Sequence, residues 1–317
     1  MKKLLLPALF LPLIVFFFSC SSGPELNPSL TVLPEFPYPE SRYTRINDTL
    51  IHYRVWNPGE NSRGNILLIH GLGGSTFSFR YTAPELADSG YTVIAADIPA
   101  FGYSDRKPEN AVSPYRAADL MWRLLAEAEK SESAIRNISR WTLIGHSMGG
   151  RVITRMAETK PEKIRKMVYL AGAVNSDTGR NWIFQLPFAE RILTDIMSDL
   201  FSSPEKLENT LSSAYGDSPP EELLTGYWKP LSIPGTPEAL IAFMKASSDS
   251  PSTDPKTVNV PALLIWGEND SWVPVEEGEA LRDNLPNARF EIIPGAGHLP
   301  MESHPEKVNS LILNFLK

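Results

Sequence analysis

The chain has one cysteine in 317 residues, Cys20, so it can form no intrachain disulfide and offers no Cys/His spacing for a structural zinc. It has no long run of one charge sign, and its charged fraction is an ordinary 21%. The formal net charge of −7 argues against a basic stripe and hence against a nucleic-acid partner. No internal repeat marks a solenoid or propeller. What the chain does have is 42% hydrophobic residues, enough for one large core or a core with a smaller appended unit.

The N-terminus is apolar in a particular way. Lys2 and Lys3 precede an apolar run of 15 residues, 4–18, and the small residues Ser19 and Cys20 follow. This is the form of a secretory signal, expected over residues 1–19. The run is short for a spanning helix and is interrupted by Pro7 and Pro12. The ending "FFSC" resembles a bacterial lipobox, with Phe17 and Phe18 where a Leu-Ala pair is usual. The resemblance implies lipid (palmitate among its acyl chains) on Cys20 and an exported protein held on a bacterial membrane surface. The alternative is an ordinary cleaved signal with an incidental cysteine. Residues 21–40 carry five prolines, which predicts a stiff, extended linker over 20–40. Residues 30–38 fit equally a strap across the surface of the body.

From residue 41 the pattern changes. "YTRINDTLIHYRVW" alternates around Asn47-Asp48, which predicts a hairpin. Continuous apolar runs follow at 65–70, 91–97, 141–147, 166–173, 261–270 and 288–297, the pattern of strands buried on both faces of a parallel sheet. Segments with helical spacing alternate with them, notably 113–130, the stretch after Ser147, "PVEEGEALRDNL" and "HPEKVNSLILNFLK". The expected fold is α/β, a mostly parallel doubly wound sheet with helices on both sides. The beat breaks over residues 176–255, rich in Ser, Pro and aromatics, and this stretch is expected to be an inserted helical lid between core parts 41–175 and 256–317.

Chemistry concentrates at "LIGHSMGG", residues 143–150, where Gly-X-Ser-X-Gly joins a strand to a helix. A nucleophile at such a corner needs small neighbours, and the amides opening the helix favour developing negative charge. Ser147 is therefore the candidate nucleophile, and the Met148 amide one half of an oxyanion hole. The second half is expected from the Leu72 amide in "HGLGG", which follows another buried-type strand. A serine hydroxyl needs a base. Of five histidines, His298, in the glycine-rich loop "PGAGHLP" after the last strand, is best placed; His52 lies in an early strand, His70 and His146 flank glycines, and His304 opens the last helix. The imidazole needs a carboxylate to fix its tautomer. Asp270 in "GENDSWVP" is the leading candidate, with Glu268 and Asp177 as rivals. The order Ser147, Asp270, His298 is the nucleophile-acid-base order of an α/β-hydrolase.

Four motifs together, "HGLGG", "DIPAFGYSD", "GHSMGG" and "WGENDSWVP…GAGHLP", make the chain resemble the α/β-hydrolase fold superfamily from about residue 43 onward. In "DIPAFGYSD", Ala100 stands where the family usually has glycine, and Asp97 and Ser104 are expected to brace that loop. The resemblance is to the lidded branch of esterases, carbon–carbon hydrolases of ring-cleavage products and cofactor-free haloperoxidase-like enzymes. It implies a hydrolase that uses no metal or organic cofactor, acting on a small-molecule carboxylic ester with a neutral or lipophilic acyl group. A serine at 147 disfavours the dehalogenase and epoxide hydrolase branches. Trp182, Phe184, Phe188, Trp228, Phe243 and Met244 are candidates for an apolar acyl pocket, or equally for packing between lid and body. Two rival functions are a carbon–carbon hydrolase on the same triad and a non-catalytic lipid-tethered binding protein.

Overall fold

The computed structural model describes residues 36–317 except 58, 60, 61, 132–139, 175–187 and 249. Cys20 and the leader therefore lie outside the described residues, as do Trp182, Phe184 and Asp177.

Eight strands form one sheet in the order β1-β2-β4-β3-β5-β6-β7-β8. The hairpin β1 (Ser41–Ile46) and β2 (Thr49–Trp56) turns on Asn47, which adopts a positive φ of 53°. β2 pairs antiparallel with β4 (Thr92–Ala96), and β3 (Asn65–Ile69), β5 (Trp141–His146), β6 (Ile164–Leu170), β7 (Ala262–Gly267) and β8 (Ala288–Ile293) continue in parallel. β3, β4, β5 and β7 are buried along their whole length, as strands covered by helices on both faces must be. β8 departs from that expectation: it is the edge strand, Ile292 is exposed, and only Ile293 is fully buried.

Helices α1 (Thr82–Asp88), α2 (Pro114–Ser131) and α3 (Gly149–Thr159) follow β3, β4 and β5. Between β6 and β7 the chain leaves the sheet, and the described residues form four helices there: α4 (Ala189–Leu200), α5 (Pro204–Tyr215), α6 (Glu221–Leu231) and α7 (Thr236–Ser248). α8 (Val275–Asn284), a single turn α9 (Pro300–Ser303) and α10 (Pro305–Leu316) complete the chain. Among the described residues no helix is long and apolar enough to cross a membrane. Of the segment 30–38, residues 36–38 are described, and the Tyr38 ring lies under the Arg54 guanidinium at 3.9 Å.

Arg106 fastens the inserted helices to the sheet. Its guanidinium donates to the carbonyls of Phe101, Gly102 and Ser104 on one side, and to Pro230 O at 3.1 Å and Thr236 Oγ1 at 2.8 Å on the other. Burial pulls its pKa down to about 10, still well above neutrality, so the clamp remains cationic.

Candidate active site

Leu72, Ser147, Asp270 and His298 all lie past the C-terminal end of a parallel strand, the edge where open α/β sheets hold ligands. Ser147 follows β5 directly and is forced to a positive φ of 48°. Such a backbone is strained for a residue with a side chain and aims the hydroxyl away from the strand. Gly149 makes the corner possible: a Cβ there would lie 2.3 Å from the Ile69 carbonyl oxygen of the adjacent strand. The 71–74 loop reaches the same point, since a Cβ on Gly71 would lie 2.9 Å from that of Ser147. Among the described residues neither the Leu72 nor the Met148 amide has a hydrogen-bond acceptor, whereas the Ser147 amide is held by Leu170 O at 3.0 Å.

Asp270 and His298 meet across the ends of β7 and β8. His298 Nδ1 donates to Asp270 Oδ2 at 2.8 Å, which leaves Nε2 as the acceptor nitrogen. The other carboxylate oxygen accepts the amides of Trp272 and Val273, each at 2.9 Å, so Asp270 is oriented as well as buried. Trp272 stacks on the His298 ring, centroids 5.5 Å apart and planes 21° from parallel, and its indole N–H reaches Ser213 Oγ of α5 at 3.1 Å. Glu268 is exposed and instead accepts the Gly295 amide at 2.9 Å. His304 bonds Ser303 at the start of α10.

His70 and His146 are both buried and neutral. Burial holds the His70 pKa below its ordinary value; its Nδ1–H donates to Gly71 O at 2.8 Å and its Nε2 accepts the Ile98 amide at 3.1 Å. Burial, and then the proximity of His298, push His146 well below the usual histidine range. Its Nε2–H donates to the His298 carbonyl at 2.9 Å.

A second Ser-His-Asp set exists elsewhere: Ser41 Oγ bonds His52 Nε2 at 2.8 Å and His52 Nδ1 bonds Asp97 Oδ2 at 2.7 Å. Its chemistry is different. Ser41 is 1% exposed, and its oxygen already accepts the Tyr38 amide. Asp97 also accepts the amides of Thr76 at 2.6 Å and Tyr103 at 2.8 Å, and its carbonyl accepts the Ser104 hydroxyl at 2.6 Å. The set ties β1 and β2 to the loops that carry Thr76 and Tyr103.

A cavity of about 380 Å³ opens over Ser147, and His298 lines it too. The inserted helices supply apolar walls, including Leu200, Phe201, Leu211, Leu231, Leu240 and Met244. Among the described residues its lining has no Asp, Glu, Lys or Arg. Of the sequence candidates for this pocket, Met244 lines it. Phe243 does not: it is buried against Phe101, ring centroids 4.8 Å apart. Trp228 is half-buried and anchors its indole N–H on Phe201 O at 3.0 Å. Phe188 stands outside on the surface.

Tyr227 was not singled out from the sequence, yet it lines the cavity and bonds Glu302 at 2.5 Å and Ser78 at 2.9 Å. Arg80 pairs with the same carboxylate. A buried glutamate four residues beyond His298 thus joins α6 to the core; no local sequence signal distinguishes it from an exposed helix-opening glutamate. Among the described residues no three His, Cys, Asp or Glu side chains cluster as a metal-holding set.

Residues 64–305 match the family described as alpha/beta hydrolase fold. The chain belongs to that family and is a hydrolase. It is 30% identical to the uncharacterized hydrolase YugF of Bacillus subtilis over 88% of this chain and 98% of that one. It is 29% identical to a 2-hydroxy-6-oxononadienedioate/2-hydroxy-6-oxononatrienedioate hydrolase of Burkholderia vietnamiensis over 84% of this chain and 91% of that one. A solved structure of a probable hydrolytic enzyme from Pseudomonas aeruginosa superposes with a TM-score of 0.74 at 21% identity, covering 89% and 96% of the two chains.

Proposed function

We propose that the protein is a serine hydrolase of carboxylic esters with neutral, lipophilic acyl groups, working through Ser147, His298 and Asp270. His298 Nε2 takes the proton of Ser147 as the hydroxyl oxygen attacks the ester carbonyl. Asp270, already bonded to Nδ1, stabilises the imidazolium that results. The Leu72 and Met148 amides receive the oxyanion; loss of one such donor typically costs about 2.7–4 kcal/mol in the barrier. The imidazolium then protonates the departing alcohol, and water repeats the sequence on the acyl-enzyme to release the acid.

The observation that carries this reading is the cavity: it holds Ser147 and His298 together and is walled by apolar side chains, with no cation among its described lining residues. Burying an acyl chain there is favourable by about 0.8 kcal/mol per methylene, whereas an unpaired carboxylate would be costly. The second reading, carbon–carbon hydrolysis of a dienedioate, is favoured by the name of the Burkholderia relative. That substrate class carries two carboxylates, for which the described lining offers no counter-charge. A fluorophosphonate probe should label the protein and not Ser147→Ala, and p-nitrophenyl esters of rising chain length should be cleaved faster than a ring-cleavage dienoate. Preference for the dienoate would replace the ester reading with the second one. Export, and anchoring by lipid on Cys20, belong to the same proposal; radiolabelled palmitate should enter the chain and not Cys20→Ala.

A further inference from the structure

We propose that Trp272 is a positioning residue for His298: it holds the imidazole ring in one orientation and ties that orientation to helix α5 of the insertion. The proposal rests on the reading of His298 as the base, and it holds whether the bond cleaved is an ester or a carbon–carbon bond.

Trp272 is fastened at three points. Its backbone amide donates to Asp270 Oδ1 at 2.9 Å, while the other oxygen of that carboxylate, Oδ2, accepts from His298 Nδ1. Its indole lies on the imidazole, centroids 5.5 Å apart and planes 21° from parallel. Its indole N–H donates to Ser213 Oγ on α5 at 3.1 Å. With Cβ on one side and one hydrogen bond on the other, an imidazole can still rock about the line between them. A flat partner stops that motion. The His146 ring is also near, centroids 4.9 Å apart, but it is tilted by 49°, so Trp272 is the neighbour that lies flat. An indole face within about 6 Å also attracts a cation, which favours the imidazolium formed during the reaction.

Packing alone does not account for the residue. Trp272 is 43% exposed, so burial of its ring contributes less than at a core position. The insertion also reaches the same loop independently. A Cβ on Gly297, the residue before His298, would lie 2.7 Å from Ala214 O and 2.8 Å from Gly216 N. The end of α5 therefore rests directly on the backbone that carries the imidazole. α5 also walls the cavity with Leu207, Leu211 and Ala214. The helix that borders the cavity is thus the helix that touches the His298 loop, by backbone at Gly297 and by side chain through Trp272.

The test compares the full-length parent with Trp272→Leu, Trp272→Phe, Ser213→Ala and the double variant Trp272→Phe/Ser213→Ala. The readouts are kcat and KM on p-nitrophenyl acetate and the rate at which diisopropyl fluorophosphate labels the protein. Trp272→Leu should lower kcat and the labelling rate about tenfold or more, with KM within about twofold. Trp272→Phe keeps a flat ring on the imidazole and should recover most of that loss. Ser213→Ala should cost about threefold in the parent background and nothing further in Trp272→Phe, where the indole donor is already gone. A rise in KM at constant kcat would make Trp272 a substrate contact and overturn the proposal. Equal losses in the Leu and Phe variants, or additive losses in the double variant, overturn it too. A spectroscopic arm needs no activity. In protein with isotope-labelled histidine, the His298 ring signal is assigned by its absence in His298→Gln. Ser213→Ala does not touch that ring, yet should shift its signal; an unmoved signal overturns the proposal. A protein that reacts with neither reagent but shows the shift keeps the link from α5 to His298 and refutes the reading of Ser147 and His298 as nucleophile and base.

Discussion

His146, the residue before Ser147, donates its Nε2–H to the backbone carbonyl of His298, 2.9 Å away. The strand that leads into Ser147 thereby holds the loop that carries His298. The bond is buried, and neutral His146 is the form that makes it. In His146→Phe a ring of similar size remains, but the His298 carbonyl loses its donor, which costs about 1–3 kcal/mol. Urea unfolding should register that loss, and kcat on a p-nitrophenyl ester should fall more than KM rises. His146→Gln, which can still donate, should recover part of kcat. A variant with lowered stability but full kcat would reduce the contact to packing alone.

The hydrogen bond from His298 to Asp270 makes a sharper demand. Asp270 accepts three hydrogen bonds, and two come from backbone amides, so an amide side chain of the same shape cannot satisfy all of them in one orientation. Asp270→Asn should fold, yet lose about 10⁴-fold in kcat because His298 is no longer held in the productive tautomer. Ser147→Ala should lose at least as much and abolish fluorophosphonate labelling. Full labelling of Asp270→Asn at the parent rate would remove the acid from the proposed triad.

Asp97 supplies a pH dependence of stability that is independent of catalysis. Burial alone would raise its carboxyl, but the charge and hydrogen bond of His52, with the Tyr103 amide, hold it below the ordinary value of 3.8. An acid whose folded pKa lies below its unfolded one stabilises the fold at pH values above the unfolded pKa and loses that contribution as pH falls through the folded one. Asp97→Asn should therefore be less stable than the parent at pH 7, and the gap should narrow steadily below about pH 5. Denaturant titrations from pH 7 to pH 3 measure it; a gap that widens toward acid would contradict the sign.

The sheet was readable because continuous apolar runs have one common meaning, a strand covered on both faces, and β3, β4, β5 and β7 obey it. β8 does not: it sits at the sheet edge, with Arg289, Glu291 and Ile292 exposed. The insertion was harder. α6 contains Gly226 and Pro230, both unfavourable in a helix interior, yet a Cβ at 226 would lie 2.0 Å from the Phe77 ring, so close packing there requires glycine. That packing partner lies far off in sequence. The positions of Ser147, Asp270 and His298 past strand ends were legible from their motifs. The roles of Tyr227, Glu302 and Arg80 were not, because a buried ion pair is made by three distant segments and leaves no local spacing.

Met244 is the one sequence candidate for the acyl pocket that the described cavity includes, and it enters from α7, away from Ser147 in the chain. Its flexible side chain is half-buried, so a larger ring can be placed there with less strain than at a fully buried wall. In Met244→Trp the cavity of about 380 Å³ loses volume on its apolar side, while the proposed carbonyl site at Ser147 keeps its own residues. Acetate esters should keep their kcat/KM within about twofold, and esters with long acyl chains should lose tenfold or more, about 1.4 kcal/mol, through the transition-state binding of the chain. A uniform loss across chain lengths would place Met244 outside the acyl path and move the chain to another wall of the cavity.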